Sequence, residues 1–179
     1  GRNMQALGTY CLKEIEKSFQ LLDEAEKMAR ELNEMSMLSH NLHIRAMILN
    51  HQGKHQTALP IINEALSVCQ NRIPFRTNTY VFITAQAIFE HLGKIKDCKK
   101  ITQIFMKEIP KPEEESNYKV LINYYSSLSR YSVMAINHQE AVNYFEIIIY
   151  KLGKKEEMPY NYAVHLSIYA RCLLFTGEL

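Results

Sequence analysis

The chain has 179 residues, of which 47% are hydrophobic, so it can bury a core of ordinary size. Its 21 Lys and Arg nearly balance its 19 Asp and Glu, which excludes the strong basic field that non-specific nucleic-acid binding requires. No apolar run approaches the roughly 20 residues of a membrane-spanning helix. We therefore expect neither nucleic-acid nor membrane contact by this segment. The four cysteines form no C-x-x-C pair, which argues against a zinc site or a disulfide framework and favours small buried residues.

Apolar residues recur at intervals of three and four, which predicts a series of amphipathic helices. The first helix is expected roughly from Cys11 to Asn33. The later apolar stripes run over residues 38–49, 58–69, 81–89, 98–105, 124–131, 141–149 and 166–174. The chain therefore predicts an all-α protein.

Glycine and proline are expected only between these stripes. Proline cannot extend a preceding helix but suits the first turn of the next one. Pro74, Pro110, Pro112 and Pro159 therefore mark boundaries. The acidic run at 113–115 is expected to begin the helix that follows, where it complements the helix dipole.

A repeat runs through the chain. The segment 50–59 returns as 90–99 and, in degenerate form, as 134–142. Each copy has a small residue at the corresponding position. Ser18, Ala58, Cys98 and Ala141 are separated by about 40, 40 and 43 residues, a period typical of helical solenoids.

A helix with a small residue near its middle, a glycine turn and a second helix that begins near an alanine resemble the tetratricopeptide repeat (TPR). The second repeat carries this pattern in Leu42, Ala46, Leu49, Gly53, His55, Ala58, Ile62 and Ala65, where His55 replaces the usual aromatic residue. The resemblance implies a right-handed α-α superhelix, a TPR-like solenoid of antiparallel helix hairpins. The period exceeds the standard repeat of about 34 residues, as in the TPR regions of bacterial regulators.

The predicted repeats cover about 1–34, 35–72, 75–110, 112–153 and 159–179, within a single TPR-like domain spanning 1–179 that we expect to be a fragment of a larger protein. Three positions depart from the pattern. Gln86 stands where a small residue would allow close helix contact, Phe105 stands at an alanine position, and Ile136 replaces the turn glycine.

No phosphate-binding loop, dinucleotide-binding glycine pattern or nucleophile elbow occurs, so we expect no enzyme and no cofactor. His40 and His43 lie three residues apart, a conceivable metal-ligand spacing, but no cysteine or carboxylate accompanies them. We interpret them as surface histidines on a polar helix face and expect no metal. Tyrosines crowd the fourth repeat, and their helical spacing favours core packing over an interface.

In the TPR family, the first helix of each repeat lines a concave surface. Carried onto this chain, the predicted peptide-binding face comprises His43, Met47, Asn50, His51, Tyr80, Ile83, Glu90, His91, Asn123, Ser126, Arg130, Ser167 and Arg171. This face is mixed polar and weakly basic, which suits an extended peptide or an acidic helix.

The resemblance thus implies a protein- or peptide-binding module, the sensory or interaction region of a larger bacterial signalling protein or transcriptional regulator. The alternative is a self-association scaffold, in which the partner is a homo-oligomer. A cytoplasmic location is favoured, with a periplasmic sensor region as the other option.

Overall fold

Eight α-helices and no strands make up the part of the chain that the computed structural model describes, residues 14–152 and 159–177. The helices are α1 Ile15–Glu31, α2 Met35–His51, α3 His55–Arg72, α4 Thr79–His91, α5 Ile95–Glu108, α6 Tyr118–Met134, α7 His138–Glu146 and α8 Pro159–Thr176. Short 3₁₀ turns lie at Phe75–Thr77 and Pro112–Glu114, and a π-helical segment, Ile147–Leu152, continues α7. The all-α prediction is confirmed.

The chain forms two compact halves, an N-terminal half that ends at Leu92 and a C-terminal half that begins at Gly93. In the N-terminal half, α1 packs on α2, α2 on α3 and α3 on α4, and α2 also touches α4. In the C-terminal half, α5 packs on α6, α6 on α7, and α7 on α8. Consecutive helices thus pack as antiparallel pairs, an arrangement consistent with a bundle or a repeat array. The single domain and its repeat boundaries stay predictions.

The predicted register of small residues is visible in the packing. Ser18, Ala58, Cys98 and Ala141 are each the fourth residue of their helix, α1, α3, α5 and α7, and each is fully buried. A small side chain lets the first turn of these helices approach its neighbours closely. Of the four cysteines, Cys69, Cys98 and Cys172 are buried as expected, whereas Cys11 lies outside the described residues.

Left-handed residues end the helices that precede the tight turns. Asn33, Gly53, Gly93, Ile136 and Gly177 have φ values of 54°, 74°, 66°, 60° and 76°. At three of these turns an amide bonds back to a carbonyl five residues earlier: Glu34 to Ala29, Lys54 to Leu49 and Asn137 to Ser132. This pairing satisfies carbonyls that the helix end leaves open. Ile136 therefore occupies the turn position that Gly53 and Gly93 occupy in the preceding hairpins, as the repeat alignment predicts.

Two predictions about which residues begin or separate the helices are wrong. Pro60 lies inside α3 rather than between helices; it is the exposed sixth residue of the helix and, lacking an amide hydrogen, cannot donate to the carbonyl four residues earlier. The acidic run does not begin a helix either. Pro112–Glu114 form a separate 3₁₀ turn, and α6 begins at Tyr118 with Asn117 as its cap, whose Oδ1 accepts from the amide of Lys119 at 3.1 Å.

Helix α2 is buried on nearly every side. Ile44 and Ile48 pack against Leu22 of α1, while the Ser39 hydroxyl lies 2.9 Å from the Cys69 sulfur of α3. Polar residues are therefore drawn into the interior of the N-terminal half, and Asn41 is buried there with no hydrogen-bond partner for its amide.

Candidate interaction surface

The predicted face is distributed over four helices. In the N-terminal half, α2 carries His43, Met47, Asn50 and His51, and α4 carries Tyr80, Ile83, Glu90 and His91. In the C-terminal half, α6 carries Asn123, Ser126 and Arg130, and α8 carries Ser167 and Arg171. The structure brings residues of α2 and α4 together in two clusters, one toward the start of each helix and one at its end.

The first cluster joins His40 and His43 of α2 to Tyr80 and Thr84 of α4. The Tyr80 ring meets the His43 ring edge-on at 4.7 Å and the His40 ring at 5.5 Å, and Nε2 of His43 lies 3.0 Å from Oγ1 of Thr84. Burial, with a smaller contribution from His40, lowers the pKa of His43 to about 3. His43 is therefore neutral at physiological pH.

The surface interpretation of these two histidines is wrong for His43, which is only 9% exposed, and incomplete for the half-buried His40. The reason is that α2 packs against α1, α3 and α4 at once, so that few positions remain at the surface. Burial also lowers the pKa of His40.

The second cluster is centred on Asn50, the penultimate residue of α2. Its Oδ1 lies 2.8 Å from Nδ1 of His55 and 3.2 Å from Nδ1 of His91, and the two imidazole rings stack with centroids 4.3 Å apart. Both Nδ1 atoms carry the proton in these bonds, because the amide oxygen can only accept. Nearby, burial and then His91 lower the pKa of His51. This cluster ties the end of α2, the start of α3 and the end of α4.

Two apolar side chains border these clusters along their helices. Met47 of α2 is one helical turn from both His43 and His51, and Ile83 of α4 is one turn after Tyr80 and next to Thr84; both are partly exposed. We name the half-exposed or exposed set His40, Met47, Tyr80, Ile83 and His91 the α2–α4 surface. It presents no lysine, arginine or carboxylate of its own, although Glu90 borders it.

In the C-terminal half, Ser126 and His165 form a buried pair, with Oγ 3.4 Å from Nε2. Burial and the charge of Arg130 lower the pKa of His165 to about 4. A serine beside a histidine invites comparison with an activated nucleophile, but Nδ1 of His165 has no hydrogen-bond partner to orient the ring. Asn123 and Arg130 are half-buried, whereas Ser167 and Arg171 are exposed.

Sequence reasoning missed His55, Thr84 and His165 as partners of the predicted residues. The ring contact of His55 could have been predicted, because His55 stands at a position of the repeat pattern that is usually aromatic. Thr84 and His165 carried none, since a single threonine or histidine in an apolar helix does not reveal its partner. The tyrosines of the fourth repeat divide: Tyr124 is buried, and Tyr150 is 72% exposed.

Among the described residues, no three histidine, cysteine or acidic side chains converge as metal ligands. Within the same ranges, no helix has the length and apolar character needed to cross a membrane. Comparison of the chain with known protein families, with curated proteins and with solved structures gave no match.

Proposed function

We propose that the chain is a TPR-like repeat protein whose helix hairpins form a right-handed superhelix. One contact that recurs in both halves supports this proposal. His55, the first residue of α3, stacks on His91 of α4, and His138, the first residue of α7, stacks on Phe175 of α8 with centroids 4.8 Å apart. His91 and Phe175 both lie two residues before a left-handed glycine. A recurrent contact between the second helix of one repeat and the first helix of the next is what a solenoid requires.

Its proposed function is to bind a polypeptide segment on the α2–α4 surface. The observation that carries this proposal is the pair of partly exposed apolar side chains, Met47 and Ile83, on two helices that hydrogen-bonded clusters hold together. Rigid placement lowers the entropic cost of binding, and the absence of strong charge suits an uncharged extended peptide better than a nucleic acid.

Such a segment would serve as the interaction or sensory region of a larger bacterial regulator, a role that rests on analogy with the repeat family. We propose binding rather than catalysis. The Ser126 and His165 pair is the nearest approach to a catalytic arrangement in the described residues, and it is buried.

Site-specific cross-linking tests this function. A photoreactive phenylalanine analogue at Ile83 should capture a polypeptide from a lysate of the native host, and the same analogue at the exposed Thr57 of α3 should not. Adding Met47→Lys should abolish capture, because it places a charge at the apolar centre of the surface.

Met106→Lys is the matched control, since Met106 is exposed on α5, outside the α2–α4 surface. Equal capture from Thr57 and Ile83, or equal loss from both lysine variants, would contradict the proposal. Capture of a second copy of the chain through Ile83 would favour the self-association scaffold instead.

A further inference from the structure

Positive charge is concentrated on α5 and the residue that caps it. Between residues 94 and 107 the sequence has a single carboxylate and five lysines: Lys94, Lys96, Lys99, Lys100 and Lys107. This stretch has a formal charge of +4, whereas the whole chain has only +2. The rest of the chain is therefore slightly acidic, and its positive field is local to α5.

Four of these lysines share one side of the helix. At 3.6 residues per turn, Lys96, Lys99, Lys100 and Lys107 fall within an arc of about 100° and span about 16 Å of the helix axis. All four are exposed. We name this set the α5 lysine face.

The opposite side of α5 is occupied within the chain. Cys98, Ile101, Thr102 and Phe105 are buried there, and Oγ1 of Thr102 lies 3.3 Å from the backbone oxygen of Ser127 on α6. Helices of a bundle or repeat array pack through apolar residues of this kind. The α5 lysine face, which is charged and lies in the interior of the chain between α4 and α6, is therefore not a packing face for another helix of the array.

Most lysines of this face have no internal counter-charge. Basic residues elsewhere in the described chain form ion pairs with carboxylates: Lys17, Lys27, Arg30, Arg45 and Lys111. On the α5 lysine face, Lys100 pairs with Asp97 at 3.0 Å. Lys96, Lys99 and Lys107 form no ion pair with any residue that the structure describes.

Helix stability does not account for this placement of charge. Lys94 caps α5 and Lys96 lies in its first turn, where a positive charge opposes the helix dipole. Lys96 is also three and four residues from Lys99 and Lys100, a spacing at which like charges repel. In α1, the corresponding residue, two before the buried small residue, is Glu16, whose charge the dipole favours. An external anion on α5 would offset this repulsion.

The composition of α5 favours one class of anionic partner. A helix that lies in a membrane surface needs a broad apolar side, whereas the large apolar residues that α5 exposes are Ile95 and Met106. Nucleic-acid surfaces combine basic residues with stacking aromatic rings or arginine; α5 has no arginine, and its one aromatic residue, Phe105, is fully buried. Lysines at helical spacing instead match carboxylates at helical spacing.

We propose that the α5 lysine face binds an acidic helix of a partner polypeptide. Lys96, Lys99 and Lys107 each pair with a carboxylate of that helix, whose acidic residues recur at intervals of three and four along one side. A helix fits because it has the same rise per residue as α5. This face shares no residue with the α2–α4 surface, so the proposal does not rest on the proposed function.

The probe is a synthetic helical peptide of about 15 residues, with glutamates at every third or fourth position of one side and a fluorescein label. Its fluorescence anisotropy should rise in a saturable manner on titration with the whole chain at about 50 mM salt. The combined variant Lys96→Gln, Lys99→Gln and Lys107→Gln should weaken binding by about tenfold or more, because each exposed ion pair contributes a factor of about two to five. Glutamine preserves the helix propensity of lysine, so circular dichroism should show unchanged helix content.

The matched control replaces three exposed lysines that lie outside α5 by glutamine: Lys27, Lys54 and Lys151. It removes the same net charge, and it should bind the peptide within about threefold of the unchanged chain. Equal weakening in the two triple variants would mean that net charge alone attracts the peptide, and this would overturn the proposal. Equal affinity for a peptide of the same composition with its glutamates distributed around the helix would also overturn it.

Other occupants of the α5 lysine face are tested with phosphatidylserine vesicles and with duplex DNA. If either binds through Lys96, Lys99 and Lys107 while the acidic peptide does not, the ligand is a lipid or a nucleic acid and the proposal is wrong. It is also wrong if the unchanged chain dimerises in sedimentation experiments and the variant of the lysine face alone is monomeric, because the occupant is then a second copy.

Discussion

The imidazole rings of His55 and His91 stack 4.3 Å apart and point their Nδ1 atoms at the same acceptor, Oδ1 of Asn50. The stack joins the start of α3 to the end of α4, and the hydrogen bonds add the end of α2. In the C-terminal half, Phe175 takes the place of His91 and stacks on His138. The phenylalanine ring has no N–H group, so it cannot donate the hydrogen bond that His91 donates. The second arrangement suggests how the two contributions in the first can be separated.

His91→Phe should keep the stack and lose the bond to Asn50, whereas His91→Ala should lose both. A neutral hydrogen bond and an aromatic pair each contribute about 0.5–1.5 kcal/mol. We therefore expect the free energy of unfolding to fall by about 1–3 kcal/mol in His91→Ala and by about half as much in His91→Phe. Urea denaturation at pH 7.5 measures both. Equal losses in the two variants would show that the ring stack has no stabilising effect.

The repeat register can be tested at Ala58 and its neighbour. Ala58 is fully buried in the first turn of α3, and Thr57 is exposed. Ala58→Arg places a charge between packed helices and should reduce the free energy of unfolding by several kcal/mol, on the order of 3–5. Thr57→Arg should change it by less than about 0.5 kcal/mol. Similar melting temperatures for the two variants would refute the alignment of the small residues.

Ile136 provides a case where a substitution should stabilise the fold. Its φ of 60° is unfavourable for a β-branched residue, and its side chain is 79% exposed, so little packing would be lost. Ile136→Gly should relieve about 1–2 kcal/mol of backbone strain, offset by about 1 kcal/mol of additional chain entropy in the unfolded state. We therefore expect the free energy of unfolding, measured by thermal denaturation, to increase by up to about 1 kcal/mol.

Gly53→Ala is the reciprocal control. Gly53 has a φ of 74° and no atom near the place of an added Cβ, so any loss of stability reflects backbone conformation alone. It should be destabilising by about 1 kcal/mol. A loss of stability in Ile136→Gly, or none in Gly53→Ala, would contradict the assignment of strain to these turns.

The helices and the small-residue register follow from the sequence because both depend on local periodicity. Ser18, Ala58, Cys98 and Ala141 show this, since each lies where a helix of the predicted period must pack closely. The histidine clusters do not follow, because they depend on which helices surround α2. A helix buried on three sides has no polar face for periodicity to reveal, so Asn41, His43 and Asn50 gave no sign of burial. The π-helical continuation of α7 at Ile147–Leu152 likewise has no local sequence signal.

The buried histidines predict a specific loss of stability at mildly acidic pH. Burial lowers the pKa of His43 to about 3 and that of His165 to about 4, while an unfolded histidine titrates near 6.5. Between these values the unfolded chain binds protons that the folded chain does not, so the free energy of unfolding increases with pH. The stabilisation is fully present above pH 6.5 and declines as the pH falls, by at most about 1.4 kcal/mol per pH unit for each histidine.

His43→Gln removes one titrating group and leaves an amide that can still bond to Oγ1 of Thr84, and His165→Gln does the same for the pair with Ser126. Each variant should flatten the dependence of the free energy of unfolding on pH between 6.5 and 5, where carboxylates change little, and the double variant should flatten it most. Urea denaturation at closely spaced pH values provides the slope. A slope that both substitutions leave unchanged would mean that these rings accept protons in the folded chain as readily as in the unfolded one, contrary to their burial.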